Sequence, residues 1–254
     1  MANLLGTYTL FKRETRRFLK VYLQTILSPM VSNVLYLAIF GVSLHRAIPS
    51  VHGITLLEFI APGLVMMGII NNAFQNPSSS LIISKYQGLI ADLLIIPLNR
   101  LEILLAFTAS AVLRGLIVGV ATLVVIAFFV PLTYTSIFIS IIACVLAALF
   151  FSFLGVFIGI WADEFDKIAI VQTFILTPLT FLGGVFYPVT SLPSTMRILS
   201  SFNPIVYMVD LLRYGFTGVH EFPVLVSLGI LSLLTLILGL ITGYILKTGW
   251  HLQS

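Results

Sequence analysis

The stretch Ile103–Val130, ILLAFTASAVLRGLIVGVATLVVIAFFV, holds 28 residues and a single charge, Arg114. A helix needs about 20 apolar residues to cross the roughly 30 Å hydrocarbon core of a bilayer, so this run is long enough to span one. Comparable runs lie at about 21–44, 56–76, 136–161, 168–187 and 224–247, which makes six candidate spans. The rest of the composition agrees. The chain has 254 residues, 59% hydrophobic and 9% charged, with a mean hydropathy of +1.12. Soluble domains carry roughly a quarter charged residues, and so little polar surface cannot coat a soluble particle of this size. The predicted fold class is an all-α membrane protein, one transmembrane domain over 1–254, with no room for an added nucleotide-binding domain.

The charges lie between the apolar runs. Residues 4–22 carry Lys12, Arg13, Arg16, Arg17 and Lys20, with Leu4, Tyr8, Phe11, Phe18 and Tyr22 recurring at helical spacing. This pattern predicts an amphipathic interfacial helix, apolar stripe in the acyl boundary and arginines among anionic headgroups. A solvated basic tail is the alternative, since Thr15 interrupts the stripe. A cleaved signal peptide does not fit a following run this long that contains Gln24, Pro29 and Asn33. With the N-terminus inside, nine cations fall on the cytoplasmic side (these five plus Lys85, Arg100, Lys167 and Lys247) against Arg46, Arg197 and Arg213 outside. Both termini are then expected in the cytoplasm. The net charge of +4 therefore reads as topology, and no nucleic-acid partner is expected. The lone Cys144 reads as a small apolar core residue.

Two connections are long. The first, a loop expected over 78–100, contains Gln87-Gly88-Leu89-Ile90-Ala91-Asp92-Leu93-Leu94-Ile95-Ile96-Pro97. Its apolar residues recur at helical spacing for about two turns before Pro97. Such a helix lies on the membrane or docks in a partner's groove, and the lack of a basic face favours the partner. The second, over 188–223, is moderately apolar but cut by Pro193 and Asn203-Pro204, so it predicts short re-entrant or surface helices. By contrast, 131–135 is a tight external turn. No repeat of fixed period is visible.

Arg114 falls about 16 Å into its span, near the midplane, where a charge should face the bundle interior with a partner. Two readings stand level: bonds to neighbouring helices, or attraction of an anionic substrate headgroup. Asn71, Asn72, Gln75 and Asn76 form a polar patch by their spacing of four, suited to interhelical hydrogen bonds or to lining a substrate path; Gln172 and Thr173 read the same way. The turn holding Asp163, Glu164 and Asp166 reads as a solvated helix cap rather than a metal site, because it lacks a histidine. Catalytic, cofactor and metal-ligand sets are not expected. His45, His52, His220 and His251 lie outside the spans, and neither HExxH nor a P-loop motif occurs. Any ATP-driven role needs a second subunit.

Several of these stretches together resemble the ABC-2 permeases, the type V ABC exporters, over nearly the whole length. The strongest resemblance runs from Pro178-Leu-Thr-Phe-Leu-Gly-Gly-Val-Phe-Tyr-Pro188 through Ser191-Leu192-Pro193 to Asn203-Pro-Ile-Val-Tyr-Met-Val-Asp-Leu-Leu-Arg-Tyr-Gly215. Gln87-Gly88 through Asp92-Leu93-Leu94 to Pro97, then Leu101-Glu102, resembles the family's coupling helix. Phe59–Gly63 and Arg114-Gly115 fit the bacterial subgroup that includes nodulation-factor exporter permeases. Where many members have Thr-Leu-Glu after the coupling glycine, Leu89-Ile90-Ala91 stands here.

The resemblance implies a bacterial inner-membrane exporter. Two permease copies would pair in membrane lipid with two separate cytosolic ATPases, which bind the ATP and Mg. Residues from Leu81 to Pro97 would seat in the ATPase, with Gly88, Leu89, Asp92, Leu93, Leu94 and Pro97 carrying the coupling. Asn71, Asn72, Gln75, Arg114, Gln172, Thr173, Gly183 and Gly184 would line the path or gate along the dimer axis. Tyr187, Pro188, Pro193, Asn203, Pro204, Asp210 and Arg213 would form the external lid. The cargo would be amphipathic or lipid-linked: a glycolipid, a saccharide or a drug. The rivals are an ATP-independent channel or secondary transporter, which should carry more paired intramembrane charges, and an intramembrane enzyme, which the histidine positions disfavour.

Overall fold

The computed structural model describes residues 3–45, 50–89, 98–131 and 133–248, and these are mostly helical. In chain order α1 is Leu4–Lys20, α2 Ser28–His45, α3 Leu56–Tyr86, α4 Arg100–Ile126, α5 Ile137–Trp161, α6 Phe165–Ile170, α7 Thr177–Phe181, α8 Ser194–Ser201, α9 Pro204–Thr217 and α10 Val224–Thr248. A π-helical turn at Leu23–Leu27 leads into α2, and another at Val171–Leu176 joins α6 to α7. A minimal hairpin, β1 Ser50–Val51 and β2 Ile54–Thr55, precedes α3. Five of the described helical stretches are long and apolar enough to cross a membrane: Leu23–Phe40, α3, α4, α5 and α10.

The centre of the bundle is α3. A capping box starts it: Glu58 N donates to Thr55 Oγ1 and Thr55 N donates to Glu58 Oε2. Sequence spacing ended this span near residue 76, with Pro77 and the serines as loop. The helix instead runs unbroken for 31 residues, through Pro62 and Pro77, to Tyr86. Tertiary burial overrides the breakers, as it can in a bundle where neighbouring helices and hydroxyls satisfy freed backbone groups. Ser78 donates to Phe74 O and Ser84 to Ser80 O. On α5, Gly155 has no Cβ to strike the Phe74 carbonyl and the Pro77 ring, so the two helices pack closely where Pro77 sits. Leu81, Ile82 and Ser84 are consequently buried. Leu81 belongs to the core, with Phe107, Val156 and Ile160, and not to a docking segment.

The end of α3 is a Schellman motif. Leu89 N donates to Ser84 O at 2.9 Å and Gly88 N to Lys85 O at 3.0 Å, with Gly88 at φ +68°. Asp92, Leu93, Leu94 and Pro97 lie outside the described residues.

The expected stripe on α1 is divided. Leu10, Glu14 and Phe18, spaced by four, are buried, while Leu4, Tyr8 and Tyr22 remain exposed. Leu10 packs with Ile103 and Phe107 of α4, so α1 is docked on the bundle rather than a free basic tail.

Both described chain ends meet the start of α4. Asn3 N donates to Glu102 Oε1 at 2.6 Å, and Arg100 donates to Leu246 O and Lys247 O. The expected fifth span is helical over 165–181 only, in three pieces, and Gly183–Tyr187 lie beyond it. The expected break at Asn203-Pro204 is a helix start. Asn203 Oδ1 caps α9 by accepting from Ile205 N, with Pro204 in the first helical position.

Candidate functional site

Three polar clusters are strung along α3. The first lies at the end where the described chain begins and ends. Glu14, only 1% exposed, accepts from Ser80 Oγ of α3 at 2.6 Å and from Arg13 and Arg17 of α1. Arg17 then reaches Asn76, donating to its backbone O at 2.8 Å and to its Oδ1 at 3.1 Å, and Asn76 Nδ2 donates to Ser110 Oγ of α4. A carboxylate buried at this depth persists because every oxygen has a donor, two of them cationic. Glu14 thus fastens α1 to α3. Sequence reading missed it, although a lone acid four residues from both Leu10 and Phe18 was the available signal. Glu14→Ala should cost about 3 kcal/mol, the low end for breaking a buried pair because both arginines keep some solvent. Hydrogen exchange over residues 4–20 then rises about a hundredfold; unchanged exchange would show that α1 is held by its apolar contacts alone.

At the same end, Lys85 of α3 donates to Ala162 O at 2.9 Å and to Ile160 O, next to Asp163. Asp163 also pairs with Lys167, and the Tyr86 and Phe165 rings lie 5.0 Å apart. The acidic turn therefore ties the ends of α3 and α5 to the start of α6.

The second cluster is at mid-helix. Arg114 of α4, 4% exposed, donates from Nε to Asn72 Oδ1 at 3.2 Å and from Nη2 to Gln75 Oε1 at 3.1 Å. These are the partners that sequence could not name. Asn71 Nδ2 returns to Met67 O of its own helix. Gln172 and Thr173 sit on the second π-turn, half-buried and exposed, and among the described residues no hydrogen bond joins them to Asn72, Gln75 or Arg114.

The third cluster closes the opposite end. Arg213 of α9, 1% exposed, donates to Phe59 O at 3.2 Å and Gly184 O at 2.6 Å, its guanidinium 3.7 Å from the centre of the Phe59 ring. Glu221 lies 3.8 Å from Arg213 Nη1 and accepts from Val189 N and Thr190 N. Asp210 accepts from Glu221 N and Phe222 N. Burial lowers the Arg213 guanidinium to about 10, opposed by Asp210 and Glu221, so it stays charged at neutral pH. Burial raises the Asp210 carboxyl, and its two backbone donors pull it back.

The other residues expected in the lid make local contacts nearby. Tyr187 Oη donates to Phe181 O, Pro188 O accepts from Ser191, Pro193 caps α8, and Asn203 Nδ2 donates to Leu179 O. Gly184 takes φ +70°, and a Cβ on Gly183 would meet Ile205 at 2.7 Å. The glycine pair thus provides a close approach to α9 inside the chain. Glu221 was not foreseen, and Phe59, marked only by resemblance, was not expected to meet Arg213; nothing in their spacing pairs them with it.

Comparison with known proteins identifies the family. The family model described as ABC-2 type transporter matches residues 6–217. The inner membrane transport permease YadH of Escherichia coli (strain K12) is 38% identical over 246 residues, 97% of this chain and 96% of that protein. Nodulation protein J of Rhizobium leguminosarum bv. viciae is 22% identical over 244 residues, covering 96% and 94%. That of Sinorhizobium fredii is 25% identical over 213 residues, covering 84% and 81%. With the family match spanning most of the chain and a full-length relative at this identity, the chain, a multi-pass membrane protein, belongs to the ABC-2 type transporter family.

Proposed function

We propose that the chain is the transmembrane permease subunit of an ATP-driven exporter in a bacterial inner membrane, working as two copies with two separate cytosolic ATPases. The observation that carries the reading is α3. Its 31 residues give roughly 46 Å of continuous helix, longer than the hydrocarbon core of about 30 Å. At one end it is gripped by Arg213; at the other it ends at Tyr86, two residues before Gly88, the first of the expected coupling residues. Tied to α1 through Glu14 and to α5 through Lys85, it is a stiff lever between the two membrane faces. The chain has no P-loop of its own, so the ATP and Mg belong to the partner, and the chain is not itself an enzyme.

The six-span reading is supported by the chain's path. Segment 165–181 leads from the Lys85–Asp163 end to the Arg213 end, and the described chain starts and finishes at one end of the bundle, which requires an even number of crossings. The excess of cations at that end supports a cytoplasmic location for it, which makes α8 and α9 the external re-entrant pair of this reading. Thr173, Phe174 and Ile175 on the fifth crossing are exposed, as are Val31, Leu35 and Ile39 on α2. A second copy is the partner these faces are assigned. The cargo is amphipathic or lipid-linked. Isolation of the tagged chain from its native membrane in mild detergent should bring down a P-loop ATPase in equal amount. Recovery of the permease alone, with transport intact in vesicles lacking ATP, would favour the channel or secondary transporter.

A further inference from the structure

One face of α3 departs from the rest of the helix. Asn71, Gln75 and Ser79, spaced by four, are half-buried, exposed and half-buried, and polar, whereas most of the helix is buried and apolar. Two guanidiniums reach onto this face from other helices: Arg114 at Gln75, and Arg17 at Asn76 and at Ser79, whose Oγ lies 3.5 Å from Nη1. Arg17, which reaches this face, also lines a groove of about 1030 Å³ between α1 and the last turns of α3. Lys12, Arg13, Arg16 and Lys20 line one wall, and Ser84 and Gln87 the other.

The charges along this face do not cancel. Glu14 is the one acid lining the groove, and it is already shared by Arg13 and Arg17. Arg114 has only neutral amide oxygens as its hydrogen-bond acceptors, and among the described residues no carboxylate lies within 4.0 Å of it. A buried cation that its own protein leaves uncompensated, beside an open polar face at membrane depth, is set to receive an anion. The apolar residues Leu19, Val21, Ile83 and Leu89 around the groove would take the tail of an amphipath.

We infer that the head of the transported molecule is anionic, bearing phosphate, sulfate or carboxylate on an apolar tail, and that it passes from the α1 groove along Asn71, Gln75 and Ser79 to Arg114. This rests on the exporter reading and names its class of cargo.

The test uses the purified full chain alone in a neutral maltoside detergent, so an absent ATPase leaves it unaffected. A photoactivatable dodecyl phosphate and a matched photoactivatable dodecyl maltoside are crosslinked, and labelled peptides of α3 and α4 are quantified. The phosphate probe should label them about tenfold more than the maltoside, the scale of one charge-assisted hydrogen bond. Arg114→Gln should abolish that preference without changing maltoside labelling, and Arg114→Lys should keep most of it. If Arg114→Gln does not fold, Gln75→Leu, which removes the open amide and spares the charge, should weaken phosphate labelling. Equal labelling by the two probes, or undiminished preference in a folded Arg114→Gln or Gln75→Leu chain, overturns the inference. Displacement of the probe by inorganic phosphate alone overturns the tailed class in favour of a soluble anion.

Discussion

Arg213→Leu is expected to prevent the chain from accumulating as a folded protein. The guanidinium is the common partner of α3 through Phe59 O, of the turn after α7 through Gly184 O, and of Glu221. Leucine leaves both carbonyls without this donor, and it leaves Asp210 and Glu221 buried with their counter-cation gone. Removing one member of a buried charged set costs about 3–5 kcal/mol, against a total stability for most domains of about 5–15 kcal/mol. Arg213→Lys should fall between: the charge survives, but an ammonium lacks the planar fork that serves two carbonyls at once. Thermal unfolding of the detergent-solubilised chain and its yield in the membrane are the readouts. Wild-type melting in Arg213→Leu would mean that apolar packing of α9 on α3 holds that end without the charge.

The class of fold was legible because a bilayer imposes one strong rule: long runs such as 103–130 and 224–247 have no other place to go. Helix ends were less so. Pro77 and Ser78-Ser79-Ser80 have the composition of a loop, and the close approach of Gly155 and the hydroxyl bond from Ser78 to Phe74 O, both invisible in one dimension, let α3 continue through them. The fifth crossing was hard to bound for a related reason. Its helix ends at Phe181, and the chain then turns at a left-handed Gly184 whose carbonyl accepts from Arg213, a partner 29 residues away in sequence.

The site was half legible. The cost of a midplane charge singled out Arg114, and spacing singled out Asn72 and Gln75, yet joining them required the packing of α4 on α3. Asp210 and Arg213 were marked by resemblance as parts of a lid; the structure shows them joining α9 to α3, to the turn at Gly184 and to the segment at Glu221. Glu14 was overlooked among five cations because surface composition dominates a short basic helix, while its depth depends on Ser80, 66 residues later.

Gly88→Pro should uncouple the exporter while leaving the bundle intact. Proline fixes φ near −65° and has no N–H, so it can neither take φ +68° nor donate to Lys85 O. The Schellman turn is lost, and the chain leaves α3 in another direction before it reaches the expected docking residues Leu93 and Leu94. The core is untouched, since nothing lies within 4 Å of a Cβ at Gly88. Gly88→Ala isolates the backbone effect: a left-handed alanine costs roughly 1–2 kcal/mol without steric contact, so partial coupling is expected. Both variants should insert, with melting lowered by only a few degrees, the scale of that local cost.

The central claim, that a separate ATPase drives this permease through the loop beginning at Gly88, is tested most directly by ATP hydrolysis in proteoliposomes holding the permease and the ATPase that co-purifies with it. The account predicts that the wild-type permease raises ATP turnover above that of the ATPase alone, and that an equal amount of folded Gly88→Pro permease does not. Equal stimulation by the two permeases would contradict it.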